Sequence, residues 1–322
     1  MARPLYFDCD TGIDDSLALA YLLASAEIDL VGVGGVHGNV TAAQGVENTL
    51  RLLDLAGRGD VPVAQGASAP LVGEFGGGAA WIHGANGIGE VELPEAAAKA
   101  ISDDAADLLL RLSHEYAGEL EIVAVGPLTN LGLALQRDPS LPERVRAVTV
   151  MGGAALVPGN ITAVAEANIA HDPEAAQLVI AAGWPMTLVP LDTTLENQFE
   201  EEHRAQLVAS DIPIARAVGE ALDFYFDFYV ELYGRRSSAL HDPLAAAIAV
   251  GGIQPAVAPR VPVEIDTADG PSRGQTVCDL RGQRRGWVDR ADANVRVVLE
   301  TATQLAPHLT ERLLALGAPR GR

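Results

Sequence analysis

Four aspartates fall within eight residues near the start of the chain, in Asp8-Cys9-Asp10-Thr11-Gly12-Ile13-Asp14-Asp15. Carboxylates this close repel one another unless positive charge sits between them, and a hard divalent cation, which prefers oxygen ligands, is the simplest source of it. Asp14 and Asp15 could instead merely complement a helix N-terminus, where negative charge is favourable. That explains one or two acids and leaves the others unexplained, so the cation is the better reading. Other polar residues stand in short islands further along: Gly38-Asn39, Trp81-Ile82-His83, Gly159-Asn160, Glu166-Ala167-Asn168 and His241-Asp242-Pro243.

The elements around the acids say where they lie. The apolar run Leu5-Tyr6-Phe7 reads as a buried strand, Gly12 permits a tight turn, and the residues from Ile13 have the composition of a helix. The acids therefore sit at a strand exit and a helix mouth, the edge where open α/β sheets bind ligands. Further strands are expected at 28–36, 61–64, 121–125, 145–150 and 186–190, with helices at 41–56, 102–116 and 173–182. Alternation of this kind implies a single-domain, open, mostly parallel, doubly wound (Rossmann-like) sheet over residues 1–322. The C-terminal half reads as more helical, with late strands at 261–265, 276–280 and 295–299 and a last helix at 302–316. Residues 66–95 form a glycine-rich loop long enough to suggest function or mobility. In the helix 214–233, Tyr225, Tyr229 and Tyr233 share one face, suited either to core packing or to lining a pocket for a flat polar ring. The phenylalanines between them read as core. The tripeptide His241-Asp242-Pro243 also occurs at 171–173. At both places the aspartate can cap a helix and the proline fits its first position, so the tripeptide alone assigns no chemistry.

The net charge of −21 disfavours a phosphate backbone as partner, since that needs a basic surface, and disfavours anionic substrates. The cluster Arg281–Arg285 reads as a loop or subunit contact. No membrane span, signal peptide or disulfide framework is visible, and a cytoplasmic protein is expected.

With the acidic motif, Ile82-His83-Gly84, Gly126-Pro127-Leu128-Thr129-Asn130, Met151-Gly152-Gly153, Asp172-Pro173-Glu174-Ala175-Ala176 and the islands above, in this order and spacing, the chain resembles the inosine-uridine preferring nucleoside hydrolases. The resemblance implies one Ca²⁺ and hydrolysis of the N-glycosidic bond of ribonucleosides to base and ribose, in salvage or catabolism. It implies Asp10, Asp15, Asp242 and the Val125 carbonyl as metal ligands, with Asp10 as general base and His241 as the acid that protonates the departing base. Asp14, Asn39, Asn160, Glu166 and Asn168 would read the ribose, with Glu166 and Asn168 pointing the same way from an extended segment. His83, Tyr225 and Tyr229 would enclose the base, Asp8 would support the motif from behind, and His171 would be structural. The pair His83 and His241 leans towards base-nonspecific or pyrimidine-accepting members. A homodimer or homotetramer is expected. Thr11 stands where the family commonly has proline.

Two rivals remain. Asp8-Cys9-Asp10-Thr11 also fits the Asp-x-Asp-x-Thr signature of haloacid-dehalogenase-like Mg²⁺ phosphatases, with Asp8 as nucleophile. A non-catalytic ribonucleoside-binding protein is the other, though it would need neither base nor acid.

Overall fold

The computed structural model of the protein describes residues 2–316. One eight-stranded sheet takes strands from both ends of the chain. Its members are β1 (Arg3–Cys9), β2 (Ile28–Gly35), β3 (Val63–Gln65), β4 (Leu120–Ala124), β5 (Val145–Met151), β6 (Met186–Val189), β7 (Arg260–Val261) and β8 (Val295–Val297). Their order in space is β7-β8-β6-β5-β4-β1-β2-β3. Every pairing is parallel except β7 with β8. The chain runs outward from β1 through β2 and β3, then returns to the other side of β1 to lay down β4, β5 and β6. The strand order therefore reverses between β1 and β4, and the crevice beyond their carboxyl ends is the place such sheets offer a ligand.

Burial explains why β1 is central. Leu5, Phe7 and Cys9 belong to one hydrophobic cluster and Tyr6 to another, on opposite faces, as alternation along a strand requires. The first cluster packs against the helices Ile13–Leu23, Pro213–Tyr233, His241–Val250 and Leu305–Leu314; the second against Ala105–Glu115 and Pro173–Ala181. The glycines of β2 follow from the same packing. A Cβ on Gly34 would lie 1.9 Å from the Tyr6 hydroxyl and 2.6 Å from Asp8 Oδ2, so the glycine makes room for the pair that backs the acidic motif.

Most expected elements occur within a few residues of their place. Thr41 caps the helix Ala42–Leu55, its hydroxyl accepting from the Gln44 N–H. The helix expected from Ser102 starts at Ala105 because Asp104 takes the cap. The strand expected over 261–265 is broken at Pro262, which has no N–H to continue a ladder. Arg260–Val261 stays in the main sheet while Val263–Ile265 pairs with Thr276–Cys278 in a separate ribbon. Inside the 66–95 loop lies a single helical turn, Ala80–His83. Its glycines divide: Gly73, Gly76 and Gly77 face open space, whereas a Cβ on Gly89 would meet the Ala221 carbonyl at 2.6 Å. The second half of the loop is thus seated on the Pro213–Tyr233 helix. Cys9 and Cys278 are free thiols. Among the described residues no helix is long and apolar enough to cross a membrane.

Candidate active site

At the carboxyl end of β1 the chain turns through Thr11 and Gly12 into the helix Ile13–Leu23. The Thr11 hydroxyl lies 2.7 Å from that of Thr49, tying the turn to the next helix. Asp15 accepts from the backbone of Asp10 at 3.1 Å, from the backbone of Gly12 at 2.8 Å and from Asn39 Nδ2 at 3.0 Å. It therefore caps its own helix as well as joining the acidic group. Asp10 Oδ2 accepts the Asn39 N–H at 2.6 Å, and its Oδ1 is buried without a partner. Cβ atoms on Gly38 and Gly126 would stand 1.9 Å and 2.9 Å from the oxygens of Asp10. The carboxylate thus lies in a slot that admits no side chain.

Asp14, Asp15 and Asp242 each place a carboxylate oxygen within 4.8 Å of the others. Asp14 Oδ2 accepts from the Tyr225 hydroxyl at 3.2 Å, and its Oδ1 has no partner. Burial pushes Asp10 and Asp242 well above the usual carboxylate range, reinforced by the neighbouring acids. Asp15 is pushed up to about 6 by burial and by Asp14. Such raised values mark charge that the protein alone does not balance.

A cavity of about 350 Å³ opens above this group. Asp14, Asn39, His83, Val125, Asn160, Glu166, Asn168, Tyr225, Tyr229, His241 and Asp242 all line it, so the structure assembles almost the whole expected set from eight separate stretches of chain. Asp10 and Asp15 lie one layer beneath, fully buried under Asn39. Among the described residues no lysine or arginine lines the cavity.

The polar groups are held by backbone as much as they are free for a ligand. Glu166 and Asn168 do not share an extended segment. Glu166 is the N-cap of the short helix Ala167–His171, its carboxylate accepting from Gly153, Asn168 and Ile169 N–H groups at 2.9, 2.9 and 3.2 Å. Three such donors favour the charged form, yet burial outweighs them and lifts Glu166 to about 7. Asn168 donates to the Val125 carbonyl at 2.7 Å and Asn160 accepts from the Ala167 N–H at 2.9 Å, so each keeps only part of its amide for the cavity.

The aromatic wall comes from the Pro213–Tyr233 helix. Tyr225 and Tyr229 meet edge to face with centroids 4.9 Å apart, and His83 lies 5.4 Å from Tyr225. His83 Nδ1 accepts the Ile13 N–H at 3.1 Å, leaving Nε2 as the protonated nitrogen of the neutral ring. Burial lowers both His83 and His241 below the usual imidazole value, with Asp14 opposing.

The two His-Asp-Pro tripeptides diverge. Asp172 caps its helix, accepting from the Ala175 N–H at 3.0 Å and also from Leu71 N–H and the Thr129 hydroxyl. Asp242 caps nothing: its helix begins at His241, with Leu240 before it and no side-chain cap. Two residues do more than the sequence assigned them, Phe228 while still packing against the core. Phe228 and His171, read as core and as structural, both line the cavity, as do Trp81, Ile82, Met151 and Ile161. Thr194, in no motif, hydrogen-bonds His241 at 2.8 Å; its only mark in the sequence is a Thr-Thr pair shortly after a strand.

A profile of the family "Inosine-uridine preferring nucleoside hydrolase" matches residues 5–305. Uridine nucleosidase 1 of Arabidopsis thaliana is 38% identical over 241 residues, 75% of this chain and 72% of that protein. The pyrimidine-specific ribonucleoside hydrolase RihA of Citrobacter koseri is 38% identical over 248 residues, 77% of this chain and 79% of its own. Among solved structures, the purine-preferring ribonucleoside hydrolase from Gardnerella vaginalis superposes with a TM-score of 0.86 at 32% identity, covering 98% of both chains. The profile runs through both the motif that opens the site and the tripeptide that closes it, and the fold agrees from end to end; the chain belongs to the inosine-uridine preferring nucleoside hydrolases and is an N-glycosidase of ribonucleosides.

Proposed function

We propose that this enzyme hydrolyses ribonucleosides to base and ribose in a Ca²⁺-dependent reaction that accepts pyrimidine bases. The observation that carries the metal is the charge balance: buried acids crowd one side of a cavity that, among the described residues, no lysine or arginine lines. The unpartnered oxygens Asp10 Oδ1 and Asp14 Oδ1, and the all-oxygen donor set, fit a hard cation. Asp10, Asp15, Asp242 and the Val125 carbonyl would hold it, with Asp14 beside them. Bound there, Ca²⁺ supplies the missing positive charge and acidifies nearby water.

The chain's own residues supply the rest. Asp10, whose Oδ1 is buried without a partner, would take a proton from water as the water oxygen attacks C1′. Asn39, Asn160 and Asn168 offer amide groups to the ribose hydroxyls. Asp14 and Glu166 place negative charge where C1′ becomes electron-poor in an oxocarbenium-like transition state. His241 gives the departing base its proton, and His83, Tyr225 and Tyr229 enclose the ring and keep water from it. A cavity of about 350 Å³ is within the range of small-molecule sites.

The pyrimidine preference rests on the two relatives named for uridine and pyrimidine cleavage and on the two histidines at the cavity. The same reading has the enzyme act in the cytoplasm as a homodimer or homotetramer, in nucleoside salvage or catabolism. The phosphatase rival asks Asp8 to be an exposed nucleophile. Asp8 is fully buried, its Oδ2 taken by the Tyr6 hydroxyl at 2.9 Å and Asn130 Nδ2 at 3.0 Å.

Release of reducing sugar from uridine, cytidine, inosine and adenosine, with Ca²⁺ and after chelation, tests the proposal. Ca²⁺-dependent ribose release, fastest from the pyrimidines, is expected. Release that survives thorough chelation would remove the metal; tight nucleoside binding with no turnover would favour the binding-protein reading.

A further inference from the structure

The ring of His241 is held by a residue outside every motif. Thr194 ends the one-turn helix Leu191–Thr194 that follows β6, and its Oγ1 lies 2.8 Å from His241 Nδ1. Thr194 is fully buried, and among the described residues its hydroxyl makes no other hydrogen bond. His241 lines the cavity, and Nε2 is the ring nitrogen left to meet a ligand. The short helix is itself pinned. Asp192 accepts from the Ala155 and Leu156 N–H groups at 2.8 and 2.7 Å, and the Leu191 N–H donates to the Gly153 carbonyl at 2.9 Å.

We infer that Thr194 is a positioning residue for proton donation to the departing base: its hydroxyl tethers Nδ1 of His241 so that Nε2 is presented to the cavity. The inference rests on the hydrolase reading above. In the step concerned, the C1′–N bond breaks and its electron pair passes to the base nitrogen, which takes the proton from Nε2 of the imidazolium. The water oxygen forms the new bond to C1′ and loses its proton to Asp10. The imidazole left behind keeps its proton on Nδ1. A hydroxyl serves Nδ1 throughout, accepting from Nδ1–H before and after transfer and donating if the ring rests as the other tautomer. An aspartate, the partner of histidine in the Ser-His-Asp triad, would add another negative charge beside Asp14 and Asp242. Threonine orients the ring without that cost.

The test compares kcat and KM of the wild type, T194V, T194A and T194S on uridine and on p-nitrophenyl β-D-riboside, whose nitrophenolate departs without being protonated. Loss of oriented acid catalysis should lower kcat on uridine in T194V by roughly 10- to 100-fold. KM on uridine and the nitrophenyl riboside rate should each stay within about threefold of wild type. T194S, which keeps the hydroxyl, should recover most of the uridine rate. T194A carries the same expectation as T194V and decides the matter if T194V does not fold. Equal losses on both substrates, or undiminished uridine turnover without the hydroxyl, would overturn the inference. A wild type that cleaves neither substrate would instead overturn the hydrolase reading, and the role of Thr194 with it.

Discussion

Replacing Asp242 by asparagine should stabilise the chelated protein while destroying the enzyme. Asp242 is buried, lines the cavity and receives no hydrogen bond among the described residues, so an isosteric amide breaks no contact. What it removes is a carboxyl held well above its ordinary value of 3.8 by burial and then by Asp14, Asp15 and Asp10. An acid with a raised native value binds more protons folded than unfolded, so its penalty is absent at low pH and grows as pH rises through the unfolded value. The penalty can grow by no more than about 1.4 kcal/mol per pH unit, and only while the folded group stays protonated. Unmet hydrogen bonds of the new amide return about 1–2 kcal/mol of that gain. Urea unfolding in EDTA at pH 7 should therefore show D242N more stable than wild type, and the difference should shrink towards pH 5. Ca²⁺ at 1,000 times its Kd should reverse the order, since it then stabilises the wild type by about 4.1 kcal/mol and the variant lacks a ligand group. Chelated D242N less stable than chelated wild type, or a wild type indifferent to Ca²⁺ in the same melts, would refute the reasoning.

The other tripeptide predicts the opposite behaviour. D172A removes the cap of the Pro173–Ala181 helix and the acceptor of Leu71 and Thr129, and should cost about 2–3 kcal/mol in urea melts with the Ca²⁺ response unchanged. Y225F loses the bond to Asp14 and should lower kcat/KM on uridine by roughly fivefold. His37 is buried and held near 4 by burial, so its contribution to stability is present above the unfolded value of about 6.5 and is lost as pH falls towards 4. Between pH 6.5 and 5 wild type should lose about 1.5 kcal/mol more than H37Q in chemical melts; parallel losses would show that His37 does not titrate on unfolding.

Much of this was legible because two periodicities carry it. Strands that alternate with helices imply a doubly wound sheet, and the sheet's switch point falls where Asp8–Asp15 leaves β1 and Val125 leaves β4. Once the motif is placed there, the islands at Asn39, Asn160, Glu166–Asn168 and His241–Asp242 must converge, because each follows a strand or opens a helix at the same edge. What stayed hidden was how side chains divide their hydrogen bonds. Glu166 was expected in an extended segment reading the ribose, but three backbone N–H groups claim its carboxylate. Phe228 looked like core because apolar residues surround it in sequence, yet it sits between Tyr225 and Tyr229 in height on the helix and reaches the cavity. Thr194 had no signal, since a threonine gains its role only from the histidine that folding brings to it across 47 residues.

The repeated tripeptide shows what separates a structural acid from one kept for chemistry. Both aspartates precede a proline near the start of a helix, and both are buried. Asp172 has φ −152° and stands outside its helix, where its carboxylate can turn back on the Ala175 N–H. Asp242 stands one residue inside, because that helix begins at His241, and its carboxylate has no N–H to turn to. A shift of two residues in the helix start thus converts a cap into an unsatisfied charge. The protein tolerates that charge where Asp14 and Asp15 already repel it, which makes no sense as a contribution to folding. It makes sense if a cation completes the site, and the reversal of stability with and without Ca²⁺ is the measurable form of that argument.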